Sequence, residues 1–459
     1  MKTKRIGLIA MSGVRARNPE LVAAGLTMPG FVERSEVIAS LPSLSLLTLA
    51  GMTPDGFELS YHEIADLRGL DTLPMDFDLV ALTSLSAQIR DAYQVAAAYR
   101  AKGIPVILGG LHATALPDEG VAQVGSVAVG EGELIWPEVL SDLDSGTLKP
   151  VYRAPRGESF DLRQAPLPRF DLLDPSRYNR LTVQTSRGCP HRCSLCASSI
   201  LLTAHYKTKP VAKVMEEIKA IRALWPRPFI EFADDNSFVH RGHAKELLRA
   251  LARENVPWFT EADVRVADDP ELLGLMRDAG CRQVLIGLES PAKDSLDGLE
   301  EKANWKWRRR DRYLEAIDRI QSYGITVNGC FILGLDADTE SAFDRVFDFV
   351  RESSLYEVQV TVLTPFPGTP LYARLKQEGR LIEETAWDAC TLFDVNLRPK
   401  QMSVARLEAG MVDLIKRLYS AEETRSRRRR FWRHRKGKPG GTASPAGART
   451  SSASAPVPA

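Results

Sequence analysis

Thr185-Ser186-Arg187-Gly188-Cys189-Pro190-His191-Arg192-Cys193-Ser194-Leu195-Cys196 is the stretch on which the reading of this chain turns. Three of its six cysteines fall within these residues, separated by three and then two others, directly after the apolar run Leu181–Thr185. Thiolates spaced in this way can wrap a corner of a metal centre. A cubane iron–sulfur cluster normally takes four cysteines, so three would leave one iron open to another ligand. Two blander readings stand beside this one: a zinc site of three cysteines completed by His191, and thiols that simply fill a core. Cys281, Cys330 and Cys390 stand alone and are expected as buried small hydrophobes, with a catalytic thiol as the alternative for Cys330.

Working outward, apolar runs alternate with amphipathic segments on both sides of the cluster, the pattern of parallel-sheet α/β domains. Downstream the runs are Leu181–Thr185, Pro228–Ala233, Trp258–Glu261, Gln283–Leu288, Ile325–Leu335 and Glu357–Thr364. Six such units over residues 180–375 predict a partial (β/α)6 barrel rather than a closed eight-stranded one. A helix is predicted to open at Pro210, with Val211, Val214, Ile218 and Ile221 on one stripe. Upstream, residues 1–150 carry the expected strands Arg5–Ala10, Phe57–His62, Asp78–Leu82, Ile104–Gly109 and Ser126–Val129, with helices at Arg90–Lys102 and Glu133–Leu143. This predicts a doubly wound, Rossmann-like sheet whose ligand sits at the carboxyl ends of its strands. Residues 151–179, with four prolines, read as a linker, residues 376–420 as a helical extension, and residues 421–459 as a basic, disordered tail.

Composition agrees with a globular chain: 44% of the 459 residues are hydrophobic and 26% charged, which excludes collagen-like, disordered and many-span membrane classes. The net charge of +1 is too balanced for a whole-protein nucleic-acid footprint, so no stable nucleic-acid partner is expected. The balance hides an asymmetry, since the residues from Ala421 onward carry ten Lys or Arg against two Glu. No stretch approaches the ~20 apolar residues of a membrane span, and the apolar run Ile6–Met11 is too short for a secretory signal. Few cysteines and a thiolate cluster suit a reducing cytoplasm.

The cysteine spacing closely resembles that of the radical S-adenosylmethionine (SAM) superfamily. The resemblance implies a [4Fe-4S] cluster on Cys189, Cys193 and Cys196, with SAM chelated by the open iron and an electron donor of flavodoxin or ferredoxin type. Later segments match the same family's pattern in order. Glu231-Phe232-Ala233-Asp234-Asp235-Asn236 stands where the family contacts the SAM amino group, implying Asp234. Gly287-Leu288-Glu289-Ser290 resembles the ribose-contacting segment, implying Glu289. Gly329-Cys330-Phe331-Ile332-Leu333-Gly334-Leu335 matches the fifth-strand glycine pattern, implying Gly334, and Pro365-Phe366-Pro367-Gly368-Thr369-Pro370 resembles the turn after strand six.

The N-terminal motifs are Leu41-Pro42-Ser43-Leu44-Ser45-Leu46-Leu47, Ser84-Leu85-Ser86-Ala87, Gly109-Gly110-Leu111-His112-Ala113-Thr114 and Val129-Gly130-Glu131-Gly132-Glu133. Together they resemble the cobalamin-binding domain that precedes the barrel in many radical SAM enzymes. The resemblance implies corrinoid contacts from Ser84, Ser86, Gly109, Gly110, His112, Gly130, Glu131 and Gly132. Glycine there removes a Cβ that would block the nucleotide tail. No Asp-x-His-x-x-Gly signature occurs, so no histidine is expected to ligate cobalt. For His112 a surface or neighbouring role is expected, with cobalt ligation as the alternative. Phe393-Asp394-Val395-Asn396-Leu397-Arg398-Pro399 and the helix after it resemble the C-terminal extension of cobalamin-dependent methylases related to hopanoid C-2 methylase, implying a lid over the barrel mouth.

The implied activity is methylation of an unactivated carbon of a small-molecule, lipid or peptide substrate, through a 5′-deoxyadenosyl radical and methylcobalamin. A cobalamin-containing cyclase or rearrangement enzyme is the alternative within the family, and a non-catalytic corrinoid or zinc sensor the alternative outside it. The basic run Arg427–Lys436 reads as a solvated end, with peripheral contact to an anionic membrane and RNA as the other readings.

Overall fold

The computed structural model of the chain describes residues 3–436 apart from 24–40, 156, 203, 204 and 301. Six strands form the first sheet: β1 (Lys4–Met11), β2 (Phe57–Ile64), β3 (Leu79–Thr83), β4 (Val106–Gly109), β5 (Ser126–Val129) and β6 (Val151–Arg153). Their order is β2-β1-β3-β4-β5-β6, with every pair parallel. Side-chain alternation explains why both faces are covered. Ile6, Leu8 and Ala10 pack with Leu46, Trp136 and Val139, while Ile9 and Met11 pack with Ile89, Val95 and Tyr99 on the opposite face. The winding changes direction between β1 and β3, which opens a crevice at their carboxyl ends.

The five strands expected in this region all form. The sixth, β6, lies inside the stretch expected to be a linker. Its pattern is one buried residue, Tyr152, between two exposed ones, so an edge strand this short leaves little periodicity to read. The rest of the linker runs through short turns at Leu162–Gln164, Phe170–Leu172 and Pro175–Arg177.

The second sheet begins with β7 (Leu181–Val183). A small antiparallel ribbon, β8 (Ser186–Arg187) against β9 (Lys207–Thr208), follows before β10 (Ile230–Phe232), β11 (Trp258–Ala262), β12 (Cys281–Glu289), β13 (Thr326–Leu333) and β14 (Glu357–Val362). The order β7-β10-β11-β12-β13-β14 is parallel throughout and ends at β14 without closing on β7, an open six-stranded barrel. Val284, Ile286, Leu288, Val327, Phe331 and Val360 are buried in the shared core, whereas the alternate positions Leu285, Gly287, Cys330 and Ile332 are only half-buried. The helix predicted at Pro210 runs Val211–Leu224, with Pro210 as its cap and Val214, Ile218 and Ile221 buried.

Two expectations for the C-terminal part are corrected. The helix Val404–Leu418 packs on the barrel flank against helix Ser341–Glu352 and β14, rather than across the mouth. Residues before it do reach the mouth: Val362 N–H donates to Leu392 O at 2.9 Å, and the Asp394 carboxylate accepts from the Arg17 and Asn18 amides at 2.9 and 3.0 Å. The second correction concerns the tail, where Ala421–Lys436 is a helix. Thr424, Arg427 and Phe431 are buried at helical spacing. Two of these three inward residues are polar, so the stripe carried no apolar signal. Residues 437–459 of the expected disordered tail lie outside the described residues.

Candidate functional site

The cysteine loop leaves β7 and is held at both ends. Asp234, just past β10, is buried, and its carboxylate accepts from the Thr185 amide (2.8 Å), the Ser186 amide (2.9 Å), the Ser237 hydroxyl (2.9 Å) and the Thr185 hydroxyl. Burial raises its pKa and these donors pull it back down. Asp235 accepts from the Gly188 amide at 2.8 Å and from the Ser198 hydroxyl. On the far side, Cys193 makes a backbone bridge to Glu300, the Ser194 amide donates to Leu299 O at 3.0 Å, and the Leu371 amide donates to Ser194 O at 3.0 Å.

All three cysteines are half-buried and free. Burial, reinforced by the neighbouring thiols, pushes Cys189 up to about 11 and Cys193 up to about 12. Thiolates here therefore need compensating positive charge, which an iron–sulfur cluster supplies. Among the described residues, no three His, Cys, Asp or Glu side chains gather closely enough to hold a single metal ion. The zinc alternative also required His191 to join the cysteines. Its ring instead stacks on Trp305 at 4.3 Å, with Nε2 3.2 Å from Asp263 Oδ2 and Nδ1 3.5 Å from Glu300 Oε1.

Asn236 and Lys306, neither singled out as a site residue in sequence, also lie near the loop. Asn236 Nδ2 lies 3.9 Å from Cys189 Sγ and 2.8 Å from Asp263 Oδ2. Lys306, almost wholly buried, pairs with Glu289 and donates to Gly287 O at 3.0 Å. Its positive charge pulls the Cys193 thiol downward against burial. Glu289 itself sits at φ 61°. A Cβ on Gly287 would lie 2.5 Å from the Glu289 carboxylate, so a side chain there would displace the pair. At Gly334 a Cβ would stand 2.9 Å from Leu407, and its amide donates to Asp338 at 3.1 Å.

A cavity of about 520 Å³ lies between the two sheets. Ser84, Gly109, Gly110, Gly130, Glu131 and Gly132 wall it from the first sheet, and Gln184, Arg187, Ser198, Leu202, Ala233 and Asp235 from the barrel. Asp235, not Asp234, is the carboxylate of its pair that reaches this space. Gly110 and Gly130 have φ of 108° and 96°, a conformation that disfavours side chains. A Cβ on Gly110 would also stand 3.2 Å from the Thr83 hydroxyl.

Ser86 and His112 do not belong to this wall. Of the surface and neighbouring positions expected for His112, the surface one is not taken: the ring is 1% exposed, with Nδ1 3.0 Å from the Ser86 hydroxyl and Nε2 3.4 Å from Glu119. Its ring meets Trp387 edge-on at 5.4 Å, and burial lowers its pKa. Among the described residues that line the cavity there is no histidine.

Glu131 and Glu133 do more than line the space. Arg187, two residues before Cys189, donates to Glu131 and to Glu133, each at 2.6 Å. Lys207, across the ribbon, donates to Glu131 at 2.5 Å, and the Phe160 amide is the third donor to Glu131, at 2.7 Å. The strand that carries the cysteine loop is thereby clasped to the Gly130–Glu133 turn of the first sheet.

Residues 183–350 match the model of the radical SAM superfamily, a span that includes the cysteine loop and strands β10 to β13. Residues 183–350 form a radical SAM domain. Residues 369–452 match a second model, a domain of unknown function named DUF4070. Over 388 residues the chain is 28% identical to bacteriochlorophyllide d C-12(1)-methyltransferase of Chlorobaculum tepidum, covering 83% of each protein. It is 27% identical to hopanoid C-2 methylase of Rhodopseudomonas palustris, over 76% of this chain and 67% of that protein. The structure of TsrM, a radical SAM methyltransferase from Kitasatospora setae with cobalamin and a [4Fe-4S] cluster bound, superposes with a TM-score of 0.61 at 17% identity. That match covers 82% of this chain and 75% of TsrM, so the two are similar in fold.

Proposed function

We propose that this radical SAM protein is a cobalamin-dependent methyltransferase acting on an unactivated carbon. The observation that carries the reading is the cavity shared by the two sheets. Glycine turns at the carboxyl ends of the first sheet form one wall, and the strand and helix flanking the cysteine loop form the other. Cys189, Cys193 and Cys196 would hold the cluster, and Ser84, Gly109, Gly110, Gly130 and Gly132 would lie against the corrinoid. When bound, the cluster with SAM supplies a carbon-centred radical and the corrinoid supplies a transferable methyl group.

The chain's own residues then have definite tasks. Asp234 and Asp235 fix the backbone of the loop through amide and hydroxyl donors, so the thiols are presented in one geometry. Lys306 offsets negative charge near Cys193, and the Asn236 amide faces Cys189. Asp235 reaches the cavity from the cluster side, where it can orient polar atoms of a bound nucleoside or substrate. The Arg187 clasp fixes how far one wall stands from the other. Reactions that pass between two bound groups depend steeply on such spacing.

A test needs no knowledge of the substrate. Anaerobically reconstituted protein should bind about four irons and one corrinoid per chain, as the cluster type requires. With reduced cobalamin and SAM labelled with deuterium in its methyl group, it should release S-adenosylhomocysteine and move the label to cobalt. A cyclase or rearrangement enzyme would release 5′-deoxyadenosine under reduction but little S-adenosylhomocysteine, and that result would sink the methyltransferase reading. Replacing Cys189, Cys193 and Cys196 together by Ala should abolish the iron absorbance while leaving corrinoid binding in place.

A further inference from the structure

The helix Ala421–Lys436 is fixed to the floor of the barrel, and what it turns outward is chemically distinct from what it turns inward. Phe431 is buried edge-on against Tyr356 at 5.1 Å, Arg428 pairs with the buried Glu357 at 3.0 Å and lies over the Tyr356 ring, and Arg427 donates to Leu418 O. Tyr356 and Glu357 stand at the amino end of β14, opposite the cysteine loop. The outward residues are Arg425, Arg429, Trp432 and Arg433, all exposed and spaced to share one helical face. Trp432 is 41% exposed and rests edge-on against the anchored Phe431. The acidic residues of the helix, Glu422 and Glu423, are confined to its first turn.

We infer that this face docks on an anionic phospholipid surface, with the guanidinium groups at the headgroups and Trp432 at the interface. Two features favour lipid over RNA as the occupant. A single exposed tryptophan set among arginines on a rigid helix matches the position that amphipathic aromatics take at a membrane interface. The charge is also segregated: residues 1–420 carry 50 basic and 57 acidic side chains, against ten basic and two acidic beyond them. An anionic surface therefore repels the body and attracts the floor, so docking is oriented. The barrel mouth and the shared cavity face away from the membrane, which makes the contact a tether rather than an entry route for lipid.

The test uses the full-length protein and sedimentation with phosphatidylcholine vesicles, with or without about one third phosphatidylserine. Binding should require phosphatidylserine, and R425E/R429E/R433E should weaken it by more than roughly a hundredfold, the loss expected from removing three basic side chains near such a surface. W432A should weaken it further at high salt than at low salt. These positions are exposed, so unchanged circular dichroism and unchanged thermal unfolding confirm that the variants fold. Failure of the wild type to bind phosphatidylserine vesicles at low salt would overturn the inference. So would binding that the triple charge reversal leaves intact, or a preference for single-stranded RNA over vesicles that the same reversal abolishes.

Discussion

Asp234 shows how a single carboxylate can be legible in position while its bonding is not. Its place at the end of β10 follows from the alternation of apolar runs. Its saturation by two backbone amides and two hydroxyls depends on how the β7 loop folds back, which spacing along the chain does not encode. The three cysteines were legible because their geometry is local to eight residues. Lys306, Asn236 and Asp263 were not, since they come to the loop from helix Trp305–Arg309 and from the segments after β10 and β11, and only the fold brings them together. For Asp234→Asn the expected outcome follows from hydrogen-bond chemistry. The amide keeps one acceptor oxygen and turns an NH2 toward donors, leaving a buried donor unsatisfied at a cost of about 1–3 kcal/mol. The variant should lose iron on gel filtration while its corrinoid content stays near wild type. Full iron retention would mean that the loop does not depend on this carboxylate.

At the scale of elements, the parallel sheets were readable because strands buried on both faces give continuous apolar runs, and eleven of the twelve strands in the two large sheets stand where such runs fall. The elements that escaped are those whose inward positions are polar or too few: β6 with Tyr152 alone, and the final helix with Thr424, Arg427 and Phe431. That helix also implies a pH dependence. Burial pushes the Glu357 carboxyl up to about 7, with Arg428 opposing the shift only in part. A carboxyl whose folded pKa is raised binds more protons in the folded state than in the unfolded chain between its two pKa values. Its contribution to stability is therefore fully present below the unfolded value and falls as pH rises toward 7. Glu357→Gln should flatten this slope. The difference in Tm between the variant and the wild type should shift in favour of the variant from pH 5 to pH 8, and a difference that is constant with pH would rule out Glu357 as the titrating group.

On the scale of the whole molecule, what matters is that two independently covered sheets meet with their carboxyl ends facing one cavity. Three ties hold this arrangement: Arg187 and Lys207 on Glu131 and Glu133, Asp394 on the amides of Arg17 and Asn18, and the packing of Trp387 beside His112 and Glu119. The first tie differs from the others because it lies in the cavity wall and two residues from Cys189. Arg187 is 15% exposed and Glu131 5%, so their pairing is sheltered from the solvent screening that weakens surface pairs. Arg187→Met removes the fork but keeps much of the apolar stem. It leaves two buried carboxylates with Lys207 as their remaining cation, which should loosen the registry between the walls without unfolding either sheet. Chemistry confined to the barrel side needs only the cysteine loop, so reductive cleavage of SAM to 5′-deoxyadenosine should change by less than about threefold. Chemistry that must cross the cavity should suffer far more, by about a hundredfold for a displacement near 1 Å. The measurement is the ratio of methylated product to 5′-deoxyadenosine in single turnovers. Equal fractional losses in both would show that Arg187 serves only the loop, and no loss in either would show that the clasp does not set the distance between the walls.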